Sequence, residues 1–420
     1  MNIKPAELVD HGPSHFRVNR AAYSDTQVFN REMDRIFHNN WVFVAHESEI
    51  PESGDYLTTT LGRFPVIVSR DEDGEVHVLL NRCMHRAAVV CRADRGKSNH
   101  FRCVYHNWVY SNTGQLIGAA QSSGYDDDTF DADALSLVEA RVGTCRGLIF
   151  ASFDHDVEPL EERLKHVVRY IDAWANRSPI GDISIPRGCH RAEYPGNWKT
   201  QVENGVDGYH GTYVHESFTR ILERSGDQKR SELHQARGTV SEDNNAVGLP
   251  RGDAMLERRF GTIGVFDFTG WEGYLESVRA AHGEDEFDDI FMMRNVLIFP
   301  NLFLFDSHIR VVRPVSLDHT IVDNYPTWLD GAPDEMNEAR LREHERFFGP
   351  ASFGATDDLE IFAHVQTGLQ GGAAEWLDLS RGLNRERERG VERVGHSTDE
   401  QPQRAIYQGW LERMTIDDVH

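Results

Sequence analysis

Positive charge is scarce in this 420-residue sequence: 44 Lys and Arg stand against 68 Asp and Glu, a formal net charge of −24. A nucleic-acid binder needs a concentrated basic face, and docking on anionic lipid needs a basic patch, so both classes are excluded. Cysteine is scarce too. Five cysteines make a poor disulfide framework for a chain of this length, and a reduced, cytoplasmic setting is the expectation. Long apolar runs are missing: the longest, 295–305, is interrupted by Pro300 and Asn301 and falls short of a bilayer span. The opening residues, 1–16, lack a basic end leading into an apolar stretch, so no secretory signal is expected. Nucleotide motifs are absent as well. No G-x-G-x-x-G loop occurs, and Gly96-Lys97-Ser98 lacks the upstream glycine of a phosphate-binding loop because Cys91 holds that position.

What remains is globular material: 39 % hydrophobic and 10 % aromatic residues, enough for two or three domains with cores of their own. Residues 1–40 read as a helical lead-in, 41–155 as a small, mostly β domain, and 156–420 as a larger mixed α/β domain. The β domain is inferred from short apolar runs separated by turns such as Asp71-Glu72-Asp73-Gly74. Leu160, Leu164, Val167, Val168 and Ile171 recur at helical spacing, so 160–175 is expected to be an amphipathic helix. Further on, 294–305 and 309–314 read as neighbouring buried strands, and 333–348 as a helix opened by Pro333 and stopped by Gly349-Pro350. Two stretches, 223–257 and 385–400, read as loose; the second is so charged that a solvated face or loop is expected.

Two constellations carry chemistry. In the first, Cys83-Met84-His85 is followed after seventeen residues by Cys103-Val104-Tyr105-His106. A structural zinc site of two Cys and two His is the plainer reading, but zinc knuckles begin with two closely spaced cysteines. Here each loop offers one sulfur and one nitrogen. That division suits a two-iron cluster with both cysteines on one iron and both histidines on the other, the Rieske [2Fe–2S] motif. Cys91, Cys145 and Cys189 have no partner at ligand spacing and read as small core residues.

In the second, His210 and His215 stand five apart. On a straight helix they would diverge by roughly 140°, but Gly205, Gly208 and Gly211 allow the backbone to bend. Downstream, Asp357 reads as a helix N-cap with Glu360 completing a capping box, which leaves Asp358 as the freer carboxylate. Two His and one carboxylate form the facial triad of non-haem Fe(II) oxygenases, with positions left open for O₂ and substrate. Asp207, three residues before His210, can hydrogen-bond that histidine and link the two metal sites.

With both motifs in this order, the chain resembles the α subunit of Rieske non-haem iron aromatic-ring-hydroxylating dioxygenases. The resemblance covers nearly everything beyond the lead-in. It implies an α+β fold: a small all-β Rieske domain and a larger catalytic domain built on an antiparallel sheet. It implies Cys83, His85, Cys103 and His106 as cluster ligands, His210, His215 and Asp358 as iron ligands, and Asp207 as the bridge between adjacent subunits. Glu203-Asn204-Gly205-Val206-Asp207 resembles the version in enzymes with a separate small β subunit and sets Asn204 near the iron; Gln366 also matches. Three positions depart from the family pattern: Val104 replaces a usual Pro, and Asn107 and Ala87 replace usual glycines.

The activity implied is hydroxylation of an aromatic ring, in aromatic catabolism, with O₂ and with electrons that start on NAD(P)H and arrive through a reductase, with or without a ferredoxin. A cis-dihydrodiol is the implied product; ring amino or hydroxy groups lead instead to loss of that group or to monohydroxylation. The implied assembly is α3 or α3β3. The stretches 295–304, 309–316, 356–360 and 378–382 look most like the branch acting on benzoate, anthranilate and salicylate. A substrate carboxylate wants a basic anchor, for which Arg220, Arg224, Arg294 and Arg310 are the candidates. The alternatives are the same chemistry on a neutral arene, a Rieske electron carrier without oxygenase activity, or a structural zinc protein.

Overall fold

The computed structural model describes residues 4–126, 130–186, 188–227, 244–259, 268–350, 352 and 354–416. Two compact units emerge: Phe37–Leu160, and a second unit assembled from Met1–Ile36 together with Glu161–His420.

In the first unit, short alternating runs pair into a seven-stranded antiparallel sheet. Its order is Val42–His46, Leu148–Ser152, Glu139–Cys145, Val76–Leu80, Phe64–Arg70, Asp55–Leu61, Arg95–Lys97. A three-stranded sheet, Leu116–Gly118, Val109–Ser111, His100–Arg102, accompanies it. One core cluster joins Ile67, Leu79, Phe101, Trp108 and Tyr110 to three buried cysteines, Cys83, Cys91 and Cys103. Cys91 is thus a core residue, hydrogen-bonded from its backbone N–H to Asn81.

The second unit is built on nine antiparallel strands. They run His190–Tyr194, His319–Pro326, His308–Ser316, Leu302–Leu304, Met293–Ile298, Ala254–Arg258, Asn244–Gly248, Glu392–His396, Arg387–Arg389. The stretch 294–305 is therefore a hairpin of two strands and not one, turning at a cis Phe299–Pro300 bond. The expected helix 333–348 is Asp334–Phe348, with Pro333 at its N-cap. The amphipathic stretch 160–175 is two short helices, Leu160–Leu164 and Val168–Ala175.

Three further expectations differ from the structure. Within 1–40, Val9–Gly12 and His15–Asn19 form a hairpin extended by Trp376–Asp378, because polar His and Arg positions alternate with buried Phe16 and Val18 at strand period. Of the supposedly loose 223–257, residues 228–243 lie outside the described residues, and the rest includes two buried strands of the sheet. In 385–400, the charges of Arg389 and Glu392 pair with each other and with Glu257 and Tyr170 inside an edge hairpin, so the run is structured. Among the described residues, no helix is long and apolar enough to cross a membrane.

A single buried carboxylate ties three segments of this unit together. Glu32 accepts from Lys199 Nζ at 2.5 Å, from Trp198 Nε1 at 2.9 Å and from Trp410 Nε1 at 2.7 Å. Both charged side chains are fully buried. Removing one partner strands a charge in low dielectric, which costs about 3–5 kcal/mol, whereas replacing the pair by apolar groups is far milder. Glu32→Ala is expected to lower stability by about that amount in denaturant melts, and Glu32→Met combined with Lys199→Met to recover most of the loss.

Candidate functional site

The two Cys–His loops of the first unit are built alike. In one, Cys83 N–H donates to Ala88 O at 2.8 Å and Ala87 N–H to Cys83 O at 2.9 Å; in the other, Cys103 N–H donates to Trp108 O at 2.8 Å and Asn107 N–H to Cys103 O at 3.0 Å. Each loop turns through a left-handed residue at the same place, Ala87 at φ 58° and Asn107 at φ 57°. Those are the two positions where the family usually has glycine, and the backbone gives the reason.

The donors are sorted by type. Both thiols are buried in the core cluster. Burial lifts the Cys103 thiol above its usual pKa and the neighbouring Cys83 adds to the lift, against hydrogen bonds from the Tyr105 and His106 backbone. The His85 and His106 rings lie 4.5 Å apart, and His85 stacks on Trp108 at 5.0 Å. Desolvation, then Arg86 and His85, hold the His106 imidazole below its usual pKa, in the neutral form that ligates metals. His85 Nδ1 is buried without a protein partner. Two buried thiols beside two imidazoles, with Cys103 disfavoured as a bare anion and His106 held neutral, fit a cationic two-iron cluster.

In the second unit, the helix Trp198–Asn204 ends at Gly205, where a Cβ would stand 2.4 Å from the Phe303 ring. The chain then reaches His210, a short helix Gly211–Val214, and His215 before the helix Glu216–Arg224. The two histidines flank that short helix, and the backbone leaves helical geometry at His215 (ψ 23°), so a spacing of five still converges. His210 Nε2 lies 3.6 Å and His215 Nε2 3.5 Å from Asp358 Oδ1. His210, His215 and Asp358 are the one set among the described residues that offers three donor atoms within 4.8 Å of one another. Three donors of this kind fit one iron with open positions.

Carboxylates stand behind both histidines. Asp207 Oδ2 is 3.4 Å from His210 Nδ1, an ion-pair distance, and Asp357 Oδ2 is 3.9 Å from His215 Nδ1. Burial would lower the His210 pKa, but Asp207 and Asp358 outweigh it and raise it. Asp357 is not the expected cap: the helix Gly354–Gly368 begins three residues earlier, and Asp357 instead accepts from Ser217 Oγ at 2.7 Å. Asn204 Nδ2 donates to Asp358 Oδ1 at 3.3 Å. Gln366 is further away in role, its Oε1 accepting from Asn197 N–H.

A cavity of about 110 Å³ is lined by Asn204, Asp207, His210, His215 and Asp358 and by Phe305, Phe347, Phe348, Asn295, Arg258 and Arg310. That is below the ~150 Å³ at which a carved apolar cavity takes one benzene ring, so it has room for no more than one ring. Arg310 lies 4.7 Å over Phe305 and 5.2 Å over Phe348. The other candidate arginines are elsewhere. Arg220 is exposed and paired with Glu216 at 2.6 Å, Arg224 is exposed, and Arg294 faces a separate cavity with Glu257 and Asp289. Arg220 projects from the outer face of its helix, toward water.

Sequence reasoning missed Arg258 and Glu203. Glu203 is fully buried, accepting from Tyr23 Oη at 2.7 Å and Tyr407 Oη at 2.8 Å. Burial, reinforced by Asp207 and opposed by the tyrosines and Lys199, raises its pKa to about 7. Neither residue has a local sequence signal; both acquire their surroundings from distant strands and helices.

Comparison with known proteins agrees with this architecture. Residues 40–127 match the Rieske [2Fe–2S] domain, and 185–416 match the catalytic domain of ring-hydroxylating alpha subunits. The large subunit of 2-halobenzoate 1,2-dioxygenase from Burkholderia cepacia is 36 % identical over 393 residues, covering 90 % of this chain and 83 % of that one. The alpha subunit of toluate 1,2-dioxygenase from Pseudomonas putida is 36 % identical over 388 residues, covering 89 % and 83 %. A solved naphthalene 1,2-dioxygenase chain with indole in its active site shares the fold, with TM-score 0.85 and 24 % identity over 98 % of this chain and 95 % of that one. A cluster-bearing β unit joined to an iron-oxygenase unit is thus the class of the molecule. The chain belongs to the ring-hydroxylating dioxygenase α-subunit family, with a Rieske cluster and a mononuclear iron as its cofactors.

Two outcomes follow from the local geometry. Ala87→Gly is expected to stabilise the cluster unit by about 1 kcal/mol, and Asn107→Gly by less, in thermal melts, because glycine carries no penalty at positive φ. For Glu203, the folded pKa lies above the unfolded one, so its favourable contribution is complete at acid pH and is lost as pH climbs toward 7. Glu203→Gln is expected to remove about 3 kcal/mol of stability change between pH 4.5 and 7 from a pH series of denaturant melts.

Proposed function

We propose that this protein is the catalytic large subunit of an oxygenase that adds both atoms of O₂ to the ring of an aromatic carboxylate. The observation that carries the reading is the convergence of His210, His215 and Asp358 in a one-ring cavity that also holds buried guanidinium groups. The activities that the relatives are named for, on 2-halobenzoate and toluate, support the substrate class.

In this reading His210, His215 and Asp358 hold the iron, and Cys83, His85, Cys103 and His106 hold the cluster. The chemistry these groups supply when bound is one-electron storage and activation of O₂. The chain's own residues do the rest. Asp207 and Asp357 stand at Nδ1 of the two histidines and leave Nε2 for the metal. Asn204 steadies Asp358. Phe305, Phe347 and Phe348 wall the ring and exclude water, and Arg310 adds positive potential for an anion. Asp207, with 30 % of its side chain exposed, is the natural entry for electrons from a neighbouring α subunit.

The reaction balances as one ring double bond, O₂, two electrons and two protons giving a cis-dihydrodiol. The electrons come from NAD(P)H through a separate reductase, with or without a ferredoxin, since the sequence has no dinucleotide loop. A small β subunit, an α3 or α3β3 ring and a cytoplasmic setting complete the proposal. A mere electron carrier has no use for the three-donor set.

Metal analysis and turnover with a surrogate reductase test it. Asp358→Ala is expected to lose the mononuclear iron and all turnover while keeping the cluster's visible spectrum. Cys103→Ser is expected to bleach that spectrum, and Asp207→Asn to keep both metals yet lose at least about a hundredfold in rate. Retained turnover in Asp358→Ala removes it from the ligand set. Turnover of toluene but of no benzoate, toluate or anthranilate overturns the substrate class.

A further inference from the structure

Arg258 lies outside every role assigned above. It ends the buried strand Ala254–Arg258, is 8 % exposed, and lines the same cavity as His210, His215 and Asp358. Three other buried arginines of this unit have carboxylate partners: Arg163 with Asp253 at 2.8 Å, Arg294 with Glu257 at 3.3 Å, Arg313 with Asp323 at 2.7 Å. Among the described residues, nothing accepts from the guanidinium of Arg258, and its Nε is buried without a partner. Burial lowers its pKa to about 10, so it is still a cation at neutral pH.

Strand geometry explains why this arginine, and not its neighbours, is in the cavity. Glu257 and Arg294 are register partners on one face of the sheet and line a separate cavity with Arg389. Arg258 pairs with Met293, and the alternation turns both, with Asn295, to the iron side. Arg310, the other guanidinium there, is already engaged: its Nε donates to Asn324 Oδ1 at 2.9 Å and its plane lies over two phenyl rings.

A buried, unpaired charge costs stability. Kept in a ligand cavity, it marks a site whose counter-ion arrives with the ligand. The edge formed by Nε and one Nη is the fork that takes a carboxylate through two parallel hydrogen bonds. We propose that Arg258 is the specificity-determining residue that anchors the carboxylate of a single-ring aromatic acid in the iron cavity. The proposal rests on the aromatic-acid reading above and names the group that recognises the acid.

The test uses holoenzyme, with benzoate and its neutral isostere benzamide as probes, read by calorimetric binding and by ligand-induced melting shifts. Arg258→Met is expected to weaken benzoate about thirtyfold or more, to leave benzamide within about twofold, and to abolish the benzoate-induced rise in melting temperature. Its ligand-free melting temperature should equal or exceed the wild type, because an unpaired buried charge has gone. Arg258→Lys should fall between. If the Met variant does not fold, Arg258→Lys and Arg258→Gln are judged by the same criterion. Undiminished benzoate affinity in a folded variant, or loss in Arg310→Met alone, overturns the anchor while the aromatic-acid reading stands. A wild type that ignores benzoate, 2-halobenzoate and anthranilate but binds neutral arenes overturns that reading and the anchor with it.

Discussion

Beneath the chemistry of the catalytic unit is one fully buried ion pair, Lys199 with Glu32. The pair is not a surplus of attraction, since taking both charges out of water is costly and the neighbours must make it good. Two indole N–H groups complete the carboxylate's shell, and the ammonium lies within 5.4 Å of the Tyr23 ring and 4.9 Å of the Trp198 ring. Everything downstream inherits this anchoring. The helix that bears Lys199 ends at Asn204, which touches Asp358, and the turn after it delivers Asp207 and His210. Holding a three-donor set to within a few tenths of an ångström requires such rigidity upstream.

The nine-stranded sheet then divides the labour by face. On one side Glu257, Arg294 and Arg389 neutralise one another around a separate cavity. On the other, Arg258 and Arg310 leave positive charge available beside aromatic walls and the iron ligands. Adjacent residues in one strand, Glu257 and Arg258, thereby serve opposite ends: one closes a charge network, the other keeps one open.

Much of this was legible in the sequence, for identifiable reasons. Cluster ligands are read from spacing because a single hairpin loop must supply a sulfur and a nitrogen, and His210 and His215 are close enough in sequence for their glycines to hint at the bend. Asp358 was found by chemistry and Asp357 was misassigned, because a helix that starts three residues early leaves no trace in the local pattern. Arg258 was invisible: in Ala254-Met255-Leu256-Glu257-Arg258 all five residues are buried, so no alternation shows which side faces water. The charged run at 385–400 misled for the complementary reason, since its partners, Glu257 and Tyr170, are far away in sequence.

The catalytic unit is discontinuous, made from Met1–Ile36 and Glu161–His420, with the cluster unit inserted between. During synthesis the inserted unit is complete once residue 160 has left the ribosome, and domains fold as they emerge. Glu32 and Tyr23, made first, must wait for Trp410 and Tyr407, made last, before their shells close. The four cluster donors therefore leave the ribosome before any residue of the oxygen-activating site exists, and that site's scaffold closes only with the last helix.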